Sequence, residues 1–198
     1  MPLWGRGGSP ITPGLVCLHW LTARPDNPAA PYDPRGYSSP AELARLVEVI
    51  RPVGSYGALW WAGEVLLGVE AGRKAGHAAG SAGLADANAN AFGIAFPYLS
   101  PSYQPRGIPG ELELPFVVHA TGEQRTAWYP PLDMDMLVQM MEWCRAHFAE
   151  RGWGVPAGLV THDMINPRKN DVALLNGAKH PPGAAVHGEL TATLRGLG

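Results

Sequence analysis

Proline and glycine leave this chain only a few windows in which regular structure can form. Twenty prolines and 25 glycines are spread over 198 residues, and five of the prolines fall between Pro25 and Pro40. Proline fixes φ and lacks an amide donor, so that segment is excluded from helix interiors and central strands. A loop of that length in a compact domain is either functional or unstructured.

The windows that remain are short and readable. GLVCLHWL, from Gly14 to Leu21, predicts a buried strand with Cys17 and His19 on one face. Ser39 as cap, Pro40 at the first helical position and Glu42 completing the capping box predict a helix. Its apolar face is Leu43, Leu46, Val47 and Ile50, and Pro52 ends it. SYGALWWAGEVLLGVE predicts two strands joined by a tight turn at Ala62, Gly63 and Glu64. AFGIAF, from Ala91 to Phe96, predicts a short buried strand. An irregular excursion follows from Pro97 to Pro115, and then FVVHA, a further short strand. Asp133 caps a second helix with the apolar stripe Leu137, Met140, Met141, Cys144 and Phe148, and Gly152 stops it. AGLVTH predicts a last strand.

The order β-α-β-β-β-α-β, without internal repeats, predicts a single α/β domain: a mixed central sheet flanked by α-helices. Residues 1–13 are expected as an N-terminal arm, 14–176 as the domain and 177–198 as a flexible, peripheral tail.

Composition narrows the function. With 46% hydrophobic and 16% charged residues the chain is globular rather than disordered. A formal charge of −2 gives no general drive toward nucleic acid or anionic lipid. No apolar run is long enough to span a bilayer. The N-terminus lacks the pattern of a secretory signal, so synthesis in the cytoplasm is expected. Two cysteines, Cys17 and Cys144, make no disulfide framework. The seven tryptophans are read first as core.

One segment gathers chemistry. VTHDMINPRKND, from Val160 to Asp171, holds His162, Lys169 and Asp171 after an apolar lead-in. Pro167 and the nine-residue separation of His162 from Asp171 exclude one helical face carrying both. If both ligate one ion, they do so from the two ends of a loop. Lys169 and Asp171 are two apart and share a side in an extended chain. A catalytic zinc takes three protein ligands and keeps a fourth position for water. His19 is the best third candidate, at the end of a strand that runs into a long loop. The thiol of Cys17, on the same face, is the alternative.

These residues carry a resemblance. GLVCLHW resembles the first strand of the type 2 N-acetylmuramoyl-L-alanine amidases, which ends in a zinc-binding histidine. That zinc family includes phage lysozyme-like amidases, cytoplasmic anhydro-muropeptide amidases and peptidoglycan recognition proteins. GSYGALWWAGEVLLGVEAGRKAGHAAG resembles its Ser-Tyr-His, strand, turn, strand and His-Ala-Gly run. NANAFGIAF resembles its strand ending Ile-Gly-Ile-Glu, and WYPPLDMDMLVQMMEWC its Tyr-Pro helix entry. VTHDMINPRKND resembles its loop from Gly-His to Arg-Lys-x-Asp-Pro-Gly. The matches run in order from about Gly14 to Asp171.

The resemblance implies a peptidoglycan-recognition/amidase-like fold and a zinc ion held by His19, His162 and Asp171. Lys169 would stabilise the developing oxyanion, and Tyr56 would stand beside the metal as a second catalytic group. His77 would border the site as a substrate-binding residue. The implied reaction is hydrolysis of the amide between N-acetylmuramic acid and L-alanine, on bacterial peptidoglycan or a muropeptide. A bacteriolytic phage endolysin, acting on the wall after release and as a monomer, is the expected form. The alternatives are a cytoplasmic muropeptide-recycling amidase and a non-catalytic peptidoglycan-binding module. The chain departs from the family pattern at Ala95, where the family has Glu, at Gly57 for His, at Thr161 for Gly and at Val172 for Pro. The excursion from Pro97 to Trp128 is also longer than the family's.

Overall fold

In a computed structural model of the chain, which describes residues 8–23, 56–61, 63–69, 72–78, 86–118, 120–176 and 179–197, two nine-residue strands lie side by side at the centre of a sheet. They are β1 (Leu15–Ala23) and β4 (Ala91–Leu99), parallel and in register from Leu15 with Ala91 to Ala23 with Leu99. β7 (Gly158–Thr161) pairs with the other edge of β1, also parallel. On the far side of β4 lies β2 (Ala58–Trp61), which is antiparallel to β3 (Glu64–Leu67). The order β3-β2-β4-β1-β7 makes a five-stranded mixed sheet. The β2–β3 hairpin turns at Gly63, whose φ of 85° suits a residue without a Cβ.

Strand alternation separates the core from the chemistry. Val16, Leu18 and Trp20 on β1 and Phe92, Ile94, Phe96 and Tyr98 on β4 belong to the main hydrophobic cluster. Trp20 and Tyr98 stack with ring centroids 4.2 Å apart. The opposite face carries Cys17 and His19 on β1 beside Gly93 and Ala95 on β4. That second face is lined by small groups, with Cys17, Ala78, Ala87 and Ala91 in a separate cluster. Ala87 belongs to a single-turn helix, α1 (Ala87–Asn90), which leads directly into β4.

The helix α2 (Met134–Glu150) buries Leu137, Met140, Met141, Cys144 and Phe148 in the main cluster. Asp133 caps it, accepting from Met136 N–H at 3.0 Å. Two short turns follow β7: α3 (His162–Ile165) and a 3-10 turn at Ala173–Leu175.

Three readings of the sequence are corrected. The segment from 177 is not a loose tail, because Pro181–Arg195 forms α4, whose Leu190 and Leu194 are fully buried in the core. Gly183 lets this helix press against the 3-10 turn: a Cβ there would lie 2.2 Å from Leu174 O. His187 donates to the Leu159 carbonyl of β7 at 3.0 Å. Second, β4 runs through Pro97 to Leu99; its recorded pairing with β2 stops at Ala95, so Pro97 lies beyond the doubly paired stretch. Third, the long excursion contains an antiparallel ribbon, β5 (Leu112–Val117) with β6 (Gln124–Tyr129). Pro115 is tolerated there because β5 has one strand partner. Among the described residues of FVVHA, Phe116 and Val117 are in a strand.

The expected helix after Ser39 and the proline-rich loop before it lie outside the described residues, as does His119. Among the described residues no helix is long and apolar enough to cross a membrane.

Candidate metal centre

Parallel pairing of β1 with β7 brings two histidines together. Leu18 is in register with Thr161, so His19 and His162 are the next residue on each strand path. Their rings sit 4.6 Å apart, centroid to centroid. His162 follows the last residue of β7, where open α/β sheets present ligand sites, whereas His19 lies in the middle of β1 and not at the strand end that the sequence suggests. The backbone turns sharply after His162 through α3, then through a tight loop in which Lys169 N–H donates to Asn166 O at 2.9 Å. The loop returns Asp171 to the two rings. Asp171 Oδ2 lies 3.0 Å from His162 Nδ1 and 3.4 Å from His19 Nδ1.

Val172, immediately after Asp171, has a φ of 59° and is fully buried. A β-branched residue in the left-handed region is strained, and strain of this kind gathers at functional sites. The departure from the family's proline at this position has a direct cause, since proline is locked near a φ of about −65°.

The three donors suit a zinc ion. A tetrahedral site with bonds of about 2.0–2.2 Å has ligand-to-ligand edges of about 3.3–3.6 Å. The separations from Asp171 Oδ2, 3.0 and 3.4 Å, are close to that edge. All three ligand atoms lie within 4.8 Å of one another. Burial lowers the pKa of His19 to about 4, reinforced by the charges of His162 and Lys169 and opposed by Asp171. The ring is therefore neutral at pH 7 and keeps a lone pair for a metal. Burial alone would raise the pKa of Asp171, but its hydrogen bonds to His162 and His19 win and hold it below the usual carboxylate range.

A second trio, Cys17, His19 and His77, also brings its donors within 4.8 Å. It lies on the other side of the same ring: His19 Nε2 is 3.3 Å from Cys17 Sγ and 3.0 Å from His77 Nδ1. All three of its members are buried. Burial, then the charges of Asp171 and Asp163, push the Cys17 thiol up, so it stays protonated. The first trio faces outward by comparison, since the Asp171 side chain is 22% exposed.

Asp171 lines a cleft of about 270 Å³ together with Trp20, Phe116, Arg168 and Lys169. Lys169 and Asn170 line the same cleft beside the carboxylate. Tyr56 stands next to the site, its ring centroid 5.0 Å from that of His19. His77 does not fit the substrate-binding role. It is 6% exposed, and both ring nitrogens are engaged, Nδ1 with His19 and Nε2 with Ala91 O at 3.0 Å. Its place is behind His19, away from the cleft.

Other supporting groups carried no sequence signal of their own. Asp163 is buried and accepts hydrogen bonds from Thr161 Oγ1 and, at 2.8 Å, from Asn176 Nδ2. Thr161, where the family has Gly, thereby pins the turn that carries His162. Ala95 is in register with His19 and fully buried, so this face of β4 offers no carboxylate beside the site. Gly57 replaces the family's His for a packing reason: a Cβ there would lie 2.5 Å from the Phe92 ring.

No family model matches the sequence, and no curated protein does. Solved structures do match. The fold is similar to that of the catalytic domain of XlyA, with a TM-score of 0.54 over 98% of this chain and 94% of that chain, at 15% identity. Two proteins from Clostridium intestinale URNW are also similar, the N-acetylmuramoyl-L-alanine amidase LysC and the endolysine N-acetylmuramoyl-L-alanine amidase LysCS. Their TM-scores are 0.46 and 0.42, each at 14% identity, over 93% and 96% of this chain and 91% and 96% of theirs. The chain is thus a single α/β domain built on the same mixed-sheet plan as the XlyA catalytic domain.

Proposed function

We propose that this protein is a zinc-dependent N-acetylmuramoyl-L-alanine amidase that cleaves peptidoglycan between the lactyl group of N-acetylmuramic acid and L-alanine, as an endolysin. The observation that carries the reading is the convergence of His19 Nδ1, His162 Nδ1 and one oxygen of Asp171 beside a cleft. The likeness of the fold to the XlyA catalytic domain supports it.

His19, His162 and Asp171 would hold the ion. Zinc in such a site lowers the pKa of water to about 7 and polarises the scissile carbonyl. The chain's own residues do the rest. Lys169, which lines the cleft, would set its ammonium against the negative charge that develops on the carbonyl oxygen of the substrate. Tyr56, whose ring centroid lies 5.0 Å from that of His19, would orient the attacking water or hydrogen-bond the tetrahedral intermediate. Trp20 and Phe116 give the cleft apolar walls, and Arg168 adds a second cation at its rim. With Ala95 at the family's glutamate position, proton transfer runs without a carboxylate from β4. Tyr56 and Lys169 would be the proton-bearing side chains for that task.

The test is digestion of purified cell wall by the zinc-loaded protein, run beside soluble muropeptides. The expected result is new alanine amino groups, no new reducing sugar ends, and about one zinc per chain by elemental analysis. New reducing ends would mean a glycosidase. A folded protein without zinc or activity would mean a binding module. Cleavage confined to soluble fragments would replace the endolysin with a recycling enzyme.

A further inference from the structure

The deepest part of the site is a chain of hydrogen bonds in which each proton position is forced. It begins at the carbonyl of Ala91, the first residue of β4. A carbonyl oxygen only accepts, so His77 Nε2, 3.0 Å away, must carry a hydrogen. A buried neutral imidazole with hydrogen on Nε2 has a lone pair on Nδ1. That lone pair lies 3.0 Å from His19 Nε2, so His19 must donate to it. With Nε2 of His19 committed to His77, Nδ1 is the ring nitrogen left to a metal, and it faces Asp171 Oδ2 at 3.4 Å, close to the edge of a tetrahedral zinc site.

We propose that His77 is a positioning residue that holds the Nε2–H of His19, so that Nδ1 of His19 is the nitrogen presented to the metal. The proposal rests on the zinc reading above and goes beyond it, because His77 touches neither metal nor substrate. Metal-ligating histidines commonly donate their second ring N–H to a fixed acceptor. Here that acceptor is itself an imidazole, held by a strand carbonyl.

The surroundings of His77 hold it to this task. Asn88 Oδ1 accepts from the backbone N–H of His77 at 2.8 Å and of Ala78 at 2.7 Å. The His77 ring lies flush against Gly93, where a Cβ would come within 2.5 Å of its Cγ. Gly93 stands next to Cys17 across the sheet, so the space for the ring is made by a residue with no side chain. His162 differs. Its Nδ1 approaches the same Asp171 oxygen, and its buried Nε2 has no hydrogen-bond partner among the described residues. With nothing to draw its proton to Nε2, metal-free His162 donates from Nδ1 to Asp171 and must change tautomer when an ion arrives. His19 does not.

The experiment is long-range ¹⁵N–¹H spectroscopy of the ring nitrogens in metal-free full-length protein, followed by zinc titration. The expected wild-type result is hydrogen on Nε2 of His19 and on Nδ1 of His162. Hydrogen on Nδ1 of His19 overturns the proposal. His77→Phe removes the acceptor and keeps an aromatic ring; His19 should then move its proton to Nδ1, and zinc affinity should fall by about 10- to 100-fold. His77→Asn, which can place Oδ1 where Nδ1 stood, should restore much of both. Unchanged zinc affinity in a folded His77→Phe protein overturns the proposal; if that variant does not fold, the wild-type spectrum decides. A wild type with the Nε2 tautomer at His19 but no affinity for zinc would sink the metal reading while leaving the relay in place.

Discussion

The side chain of Asn170 pairs with the backbone of Val117 as a neighbouring strand would. Val117 N–H donates to Asn170 Oδ1 at 2.9 Å, and Asn170 Nδ2 donates to the Val117 carbonyl at 2.8 Å. Asn170 sits between Lys169 and Asp171, and Val117 ends β5. One amide therefore ties the β5–β6 ribbon to the loop that carries a cation and a carboxylate of the site.

Asn170→Ala should loosen both partners at once. Two neutral hydrogen bonds at about 1 kcal/mol each lower the melting temperature by about 4–8 °C in a domain of this size. Wall hydrolysis should fall further, by about 10- to 100-fold, because small displacements of catalytic groups are costly. Asn170→Asp keeps an acceptor for Val117 N–H but loses the donor to Val117 O, so it should not rescue. Thermal unfolding and amine release, measured on the same samples, check both statements.

Much of the frame could be read from residue order, and the reasons for success and failure are local. α2 was legible because Asp133, the apolar stripe and Gly152 agree on one helix. α4 was not, because Pro181, Pro182 and Gly183 open it and mimic a loop, while its buried contacts rest on two leucines one turn apart. The β5–β6 ribbon was hidden by Pro115 and by side chains whose burial gives no clean alternation. His162, Lys169 and Asp171 stand close in sequence, but nothing local points from them to His19; it was first singled out by a strand end expected there, which the longer β1 does not have, and then by the family resemblance. The place of His77 depends on burial and on the carbonyl of Ala91, neither of which residue types encode.

Lys169→Ala tests the cleft cation separately from the metal. Hydrolysis should drop by about 10²–10³-fold, the loss expected when one oxyanion donor is removed. Zinc content should stay near that of the wild type. A variant that loses metal in proportion to activity would instead give Lys169 a structural role.

The C-terminal helix should prove indispensable to folding. Leu190 is fully buried, so Leu190→Ala should cost about 2–5 kcal/mol, read as a shift in the urea midpoint. Removing residues from Pro181 onward strips Leu190 and Leu194 from the core together and should abolish cooperative unfolding.

Acid should weaken the fold partly through His147. Its ring stacks on Trp143 at 4.7 Å and meets Trp153 edge-on, and its Nε2 is buried without a partner among the described residues. Burial, then the nearby charge of Arg151, lowers its pKa, with Glu150 opposing. A histidine lowered in the folded state contributes stability above its unfolded value of about 6.5 and loses it as pH falls below that. His147→Phe keeps the ring packing and cannot titrate. Its stability should decline less than that of the wild type between pH 7.5 and 5, measured by urea unfolding at each pH.

His19 and Asp171 are 152 residues apart. During synthesis the first imidazole leaves the ribosome 152 residues ahead of the acid that would complete its grip. No fragment interrupted before Asp171 can assemble all three ligands, however well its early strands fold. On the proposed reading, arming of the molecule thus waits for the later segment, and a product cut short before it would be unarmed.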